Sequence, residues 1–183
     1  MRRPLRPSTP SSPMTLIVTP LSRLPQVMAA RAPSHVITLL SPEELIPTPT
    51  GFAPERHLRL GVHDIAEPQD GLVIADASLV ARIFDFAAGW DASAPMVVHC
   101  WAGVSRSTAT AFAIACERNP HADELEIALR LRKASPSAYP NRRIVALADD
   151  ILDRRGRMTK AVEAMGGNGY VVEGVPFDLA SRH

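Results

Sequence analysis

A cysteine and an arginine with five residues between them mark the segment of this sequence best suited to chemistry. Cys100 follows the apolar pair Val97-Val98 and His99, and Arg106 precedes an alanine-rich apolar stretch. This pattern predicts a buried strand that turns into a buried helix. If the intervening residues curl, their backbone N–H groups converge above the sulfur. The first helical turn adds its own unpaired N–H groups and the positive end of the helix dipole.

Such a turn is suited to binding a phosphate and attacking it. Gly103 supplies the backbone freedom that a ring-shaped turn needs, and the guanidinium of Arg106 can hold two phosphate oxygens at once. No carboxylate occurs between Asp91 and Glu117, so nothing in this segment repels an anion. The same surroundings favour the thiolate form of Cys100, and a thiolate that faces a bound phosphate is a nucleophile aimed at phosphorus.

The run from His99 to Ser107, HCWAGVSRS, resembles the Cys-x5-Arg phosphate loop of the protein tyrosine phosphatase superfamily. The form HCxAGxSRS is most similar to its compact, dual-specificity-like branch. A fainter resemblance covers roughly residues 55–152. Within it, residues 57–64 are similar to the strand that leads to the family's general-acid loop. Residues 133–136 with 140–141 are similar to the segment that supports the phosphate loop. Ser135 replaces the usual basic residue, and Trp101 is bulkier than the polar residue often found there.

The resemblance implies a role for each of these residues, without a metal or another cofactor. Cys100 would attack phosphorus and form a phosphocysteine, and Ser107 would donate a hydrogen bond to the sulfur as it leaves. Asp64 would protonate the leaving group and then activate water. His99 and Asn141 would support the loop. The substrate oxyanion would be held by Arg106 and by the backbone N–H groups of Trp101, Ala102, Gly103, Val104 and Ser105.

Three assignments stay open at the level of sequence. Asp70 lies in the same predicted loop as Asp64 and is the alternative general acid. Asn141 could act only as the N-cap of the helix that follows it. Cys116 lies ten residues beyond Arg106 on one predicted helix, about 15 Å away, which is too far for a disulfide with Cys100. We therefore interpret Cys116 as core filling.

Short apolar runs alternate with helical patterns along the chain. This alternation predicts a single α/β domain with a central, mostly parallel sheet flanked by helices. The resemblance implies that this fold is of the protein-tyrosine-phosphatase type. Strands are predicted at 15–19, 36–40, 58–62 and 96–98, and a proline-rich loop at 41–54. Helices are predicted at 22–32 with Ser22 as N-cap, and at 76–88, 107–118, 123–133 and 142–154. Residues 1–13 are predicted to be a disordered arm, and 14–183 to be one phosphatase domain in which 165–183 strap onto the body.

The composition fits one globular domain and limits its partners. The chain has 183 residues, a net charge of +1 and no apolar run near the ~20 residues of a membrane helix, so neither nucleic acid nor a membrane is expected. Two cysteines exclude a disulfide scaffold and favour the cytoplasm. The sequence carries no signal for the oligomeric state, and we assume a monomer.

We expect a phosphoprotein phosphatase for phosphotyrosine, with phosphoserine and phosphothreonine as further substrates. The alternatives are a phosphatase of phosphoinositides or small phosphorylated metabolites, and a non-catalytic phospho-binding module.

Overall fold

Four parallel strands and one antiparallel strand form the sheet at the centre of the molecule. The computed structural model describes residues 14–167, 169 and 171–182, so the predicted arm at 1–13 lies outside the described residues. The strands are β1 (Thr15–Pro20), β2 (His35–Leu40), β3 (His57–Gly61), β4 (Met96–Cys100) and β5 (Phe177–Ala180), in the order β3-β2-β4-β1-β5. Only β5 is antiparallel to its neighbour, β1. The predicted α/β fold with a mostly parallel sheet is confirmed.

Helices cover both faces of the sheet. They are α1 (Leu24–Arg31), α2 (Ala77–Ala88), α3 (Arg106–Arg118), α4 (Glu124–Ala134), α5 (Arg142–Ile151) and α6 (Arg157–Ala164). Successive strand residues point to opposite faces, and strands buried on both faces are apolar throughout. On one face, Ile17, Val36 and Val97 form a small core with α1. The opposite face carries the main core, which includes Cys100 and the buried helix α3.

The first helix begins later than the sequence predicts. A 3-10 turn over Leu21–Arg23 follows β1, and α1 starts only at Leu24. Ser22 was expected to be the N-cap, but its hydroxyl donates a hydrogen bond to the Glu173 carboxylate at 2.6 Å, and α1 has no side-chain cap. The distant partner on the tail therefore takes the hydroxyl that local sequence reasoning assigned to the helix.

The helix predicted at 142–154 is too long at its carboxyl end. The observed helix α5 stops at Ile151, because Asp153 and Arg155 adopt positive φ angles of 50° and 53°. A further helix that the sequence did not predict, α6, begins after Gly156. The bounds of the four predicted strands also shift by one or two residues. Strand β1 ends at Pro20, β2 begins at His35, β3 spans His57–Gly61, and β4 continues to Cys100.

The end of the described chain packs along the edge of the sheet. Strand β5 pairs with β1, and Asp178 in β5 forms a bidentate ion pair with Arg31 of α1, with both N–O distances at 2.9 Å. The backbone N–H of Ser181 donates to the carbonyl of Met14 at 2.7 Å. These contacts hold residues 171–176, which lead into β5, beside the end of β4.

Candidate active site

Cys100 and Arg106 lie at the carboxyl edge of the parallel sheet, on either side of one tight loop. Cys100 is the last residue of β4 and is 2% exposed, and Arg106 is the first residue of α3. The Cys100 sulfur lies 3.1 Å from the hydroxyl oxygen of Ser107. The guanidinium of Arg106 donates from Nη1 to the carbonyl of Val62 at 2.8 Å, while its buried Nε has no partner among the described residues. The arginine is thus anchored and keeps a donor for a ligand.

Four carbonyl groups of this loop are held by backbone N–H groups from outside it. The pairs are Leu21 to Trp101 at 3.0 Å, Gly174 to Ala102 at 2.8 Å, Tyr139 to Val104 at 2.8 Å and Asn141 to Ser105 at 3.2 Å. Within a planar trans peptide, the C=O and the next N–H point in opposite directions. The N–H groups of residues 102, 103, 105 and 106 are therefore directed to the interior of the loop, which forms a cradle for an anion.

Gly103 allows the loop to pack against the end of β1. Its φ is +67°, and a Cβ built on it would lie 2.7 Å from the backbone nitrogen of Pro20 and 2.9 Å from the carbonyl carbon of Thr19. No side chain fits between these backbone atoms, so a glycine is required here for both conformation and space.

The N-terminus of α3 has no side-chain cap. Asp76, Asp123 and Asn141 cap α2, α4 and α5 with hydrogen bonds to backbone N–H groups. Ser105 precedes α3 but forms no such bond, and its hydroxyl instead donates to the Asp64 carboxylate at 2.7 Å. The first N–H groups of α3 therefore stay available at the end of the helix dipole that attracts anions.

Asp64 is brought to the phosphate loop, and Asp70 is not. The Oδ1 atom of Asp64 accepts hydrogen bonds from the hydroxyl of Ser105 at 2.7 Å and from the amide of Asn141 at 2.9 Å. Asn141 also caps α5 through a bond from the N–H of Ile144 at 3.1 Å, so the cap reading and the supporting reading are compatible. Asp70 is exposed, and none of the hydrogen bonds described for the chain involves its side chain.

A cleft of about 500 Å³ opens beside the loop on the Asp64 side. It is lined by Asp64, Val104, Ser105, Tyr139, Asn141 and Arg142. Two aromatic side chains near the loop are exposed, Trp101 by 54% and Tyr139 by 45%. The entrance to the cradle thus combines aromatic surface with one carboxylate.

The sequence reasoning missed Thr38 and His57, which lie beneath the loop and are joined to His99. His99 is fully buried, and its Nε2 lies 2.6 Å from the hydroxyl of Thr38, which in turn lies 2.7 Å from Nε2 of His57. Burial lowers the pKa of His99 and the pKa of His57 to about 4 each. Thr38 is the only polar residue between Val36 and Leu40, and this interruption of an apolar run was the available signal.

Cys116 is distant from this chemistry. It is buried in the main core, and burial strongly raises the pKa of its thiol. Among the described residues, no group of three or more His, Cys, Asp or Glu side chains is arranged to hold a metal ion.

Comparison with solved structures identifies the fold. The chain is similar to the crystal structure of DUSP15, with a TM-score of 0.57 and 18% identity, over 88% of this chain and 97% of that one. It is also similar to human DUSP28, with a TM-score of 0.56 and 20% identity, over 79% and 95%. A third match is the PTP-2 phosphatase of Cydia pomonella, with a TM-score of 0.53 and 18% identity, over 74% and 84%. No protein-family model and no curated protein sequence matches the chain.

The chain has the fold of the cysteine-dependent protein tyrosine phosphatases, in the compact form of the dual-specificity phosphatases.

Proposed function

We propose that this protein is a cysteine-dependent phosphatase that hydrolyses phosphotyrosine in proteins, with phosphoserine and phosphothreonine as poorer substrates. The observation that carries the proposal is the cradle around the Cys100 sulfur. Four loop carbonyls are held on the outside, and the Nε atom of Arg106 is buried and without a partner among the described residues. Buried donors without partners are costly, so their convergence on a nucleophilic sulfur favours an oxyanion ligand at that point.

The proposed reaction has two steps. The Cys100 thiolate attacks phosphorus, the S–P bond forms, and the ester P–O bond breaks while Asp64 gives its proton to the leaving oxygen. Water then attacks the phosphocysteine, Asp64 takes a proton from that water, and the S–P bond breaks to release inorganic phosphate. The hydroxyl of Ser107, at 3.1 Å, donates to the sulfur as the thiolate leaves. Arg106 and the loop N–H groups hold the equatorial oxygens throughout.

The surroundings of the cradle favour an aromatic phosphoester on a protein. The exposed rings of Trp101 and Tyr139 offer surface on which a phosphotyrosine ring and its neighbours can pack. A multiply phosphorylated lipid headgroup would need several cations, and between Cys100 and Ser107 only Arg106 is charged. Within the described residues, no helix is long and apolar enough to cross a membrane. Both cysteines are free thiols, and we place the reaction in the reducing cytoplasm.

The test compares leaving groups in two matched variants. Tyrosine, with a pKa near 10, needs a proton to leave, whereas an activated phenol leaves as the anion. Asp64→Asn should slow a phosphotyrosine peptide by about 100-fold and an activated aryl phosphate by less than tenfold. Asp70→Asn, the control, should leave both rates near those of the wild type. If the two variants exchange behaviours, Asp70 is the acid.

Cys100→Ser completes the test, because it separates binding from chemistry. It should abolish turnover of every phosphoester while the fold and the affinity for tungstate are kept. A panel of phosphotyrosine and phosphoserine peptides and short-chain phosphoinositides then ranks the substrates. Faster turnover of the phosphoinositides would replace the protein substrate by a lipid, and full activity of Cys100→Ser would end the cysteine mechanism.

A further inference from the structure

Thr38 lies between two buried histidines directly beneath the phosphate loop. Its hydroxyl oxygen is 2.6 Å from Nε2 of His99 and 2.7 Å from Nε2 of His57, and the Nδ1 atom of His57 is 3.0 Å from the hydroxyl of Thr48. A hydroxyl carries one proton, so Thr38 can donate to only one histidine and must accept from the other. The tautomers of His57 and His99 are therefore coupled through Thr38.

Strand order brings these residues together. In the sheet, β2 lies between β3 and β4, and Thr38 is paired in register with His99, while His57 is paired with Val36. Residues 36, 38, 57 and 99 thus share the face that α1 covers, whereas Cys100 points to the opposite face. Thr48, His57, Thr38 and His99 thus form a hydrogen-bonded row, which ends at the residue directly before Cys100.

Two arrangements of protons satisfy the hydrogen bonds of the row. His99 is neutral at pH 7 because burial lowers its pKa to about 4. Its Nδ1 atom is buried and has no hydrogen-bond partner among the described residues, so only Nε2 joins the ring to the row. Either Thr38 donates to Nε2 of His99 and accepts from Nε2–H of His57, or Nε2–H of His99 donates to Thr38, which then donates to Nε2 of His57. In both arrangements the two neutral rings carry their protons on different nitrogen atoms.

We propose that Thr38 and His57 are positioning residues, which hold His99 in a single tautomer and thereby fix the end of β4 where the phosphate loop begins. The proposal rests on the proposed phosphatase function for its effect on rate, but the tautomers are a property of the folded chain. Cradle N–H groups and Arg106 bind the oxyanion without contacting the row. Loss of the row should therefore misplace the sulfur and lower kcat, and leave KM nearly unchanged.

The first measurement is made on the unmodified protein. Ring ¹⁵N shifts at pH 7 should show one of His57 and His99 as the Nε2–H tautomer and the other as the Nδ1–H tautomer, with assignments from His57→Gln and His99→Gln. The same tautomer on both rings, or mixed tautomers on His99, would overturn the proposal. This reading does not depend on turnover, so a chain with fixed tautomers and no activity would contradict the proposed function alone.

The second measurement uses three variants at buried threonines. Thr38→Val removes the hydroxyl at constant shape, and we expect kcat to fall about tenfold, KM to stay within twofold and His99 to show mixed tautomers. Thr38→Ser restores the hydroxyl and should recover kcat. Thr110→Val is the matched control, because Thr110 on α3 is fully buried and its hydroxyl has no partner among the described residues. A folded Thr38→Val protein with wild-type kcat, or an equal loss in Thr110→Val, would refute the positioning role.

Discussion

The N-termini of α3 and α6 both present backbone N–H groups, but a side chain of the described residues caps them only at α6. At α6, the buried carboxylate of Asp149 accepts hydrogen bonds from the N–H groups of Gly156, Met158 and Thr159 at 2.6, 2.7 and 3.0 Å. At α3, the cradle of N–H groups has no such side chain, because Ser105 is turned towards Asp64. One helix end is bound by an anion of the chain itself, and the other has no side-chain cap among the described residues.

The difference between the two helix ends bears directly on the proposed function. Backbone N–H groups at a helix end attract any anion, whether a carboxylate or a phosphate. At α6 the chain supplies its own carboxylate from α5, which fixes two helices against each other. Near α3, the carboxylate of Asp64 is held at the edge of the loop by Ser105 and Asn141. The proposed chemistry requires an acid that lies beside the cradle without occupying it.

The largest expected effect comes from removing the internal anion. Asp149→Asn replaces the carboxylate by an amide that can accept but also presents N–H groups to N–H donors. Bonds to charged groups are worth about 1.5–3 kcal/mol, so we expect the free energy of unfolding to fall by about 3 kcal/mol, measured in urea. Activity per folded molecule should be unchanged. Asp150→Asn, at the exposed neighbouring position, is the control. Equal stability of the two variants would show that Asp149 does not serve α6 in this way.

The complementary experiment fills the open helix end. Tungstate at about 100 times its Kd should raise the free energy of unfolding by about 2.7 kcal/mol, as seen in thermal unfolding. The same increment should appear in Asp149→Asn, because the two helix ends are separate. It should shrink in Arg106→Lys, which lacks the planar fork. An undiminished increment in Arg106→Lys would place the anion elsewhere.

The smallest effect, when counted for one histidine and one pH unit, concerns the two buried histidines beneath the open cradle. The pKa of His57 and the pKa of His99 are near 4 in the folded protein and near 6.5 in the unfolded chain, so the unfolded chain binds protons first. Stability should be constant above about pH 6.5 and decrease as the pH falls towards 4. Each histidine contributes up to about 1.4 kcal/mol per pH unit.

The control for this pH dependence is a histidine at the surface. His57→Gln should reduce the slope of stability against pH by up to about 1.4 kcal/mol per pH unit, whereas His121→Gln, at an exposed position, should not change it. Burial also lowers the pKa of His35, but that contribution is common to all three proteins and cancels. An unchanged slope in His57→Gln would mean that His57 is charged in the folded state.

The parts of the fold that local patterns determine were predictable, and those that depend on distant partners were not. Apolar runs and an Asn in front of a helical stripe were enough for the parallel strands and for the cap of α5 at Asn141. Helix α6 was missed because its N-terminus is completed by Asp149 on another helix. The start of α1 was wrong because Ser22 binds Glu173, a residue 151 positions away.

The same division holds at the candidate site. The turn from β4 to α3 was predictable from consecutive residues, since an apolar strand, a glycine and an apolar helix follow one another there. The backbone N–H groups that hold the loop carbonyls belong to residues 21, 139, 141 and 174. Only the segment at 139–141 had a signal in the sequence. Thr38 and His57 meet His99 only because β2 lies between β3 and β4, and strand order is a property of the whole chain.

The hydrogen bond from Gly174 to the Ala102 carbonyl also gives the loop a place in the order of folding. It joins residues 72 positions apart, and the bond from Leu21 to Trp101 spans 80. Contacts between distant residues form late, because the entropy of closing a long loop must be overcome first. Helices α2 to α6, which depend on nearer contacts, can form while the loop is still incomplete. If the chain is refolded, we therefore expect the proposed turnover to return after helical structure does, because the loop is among the last parts to be completed.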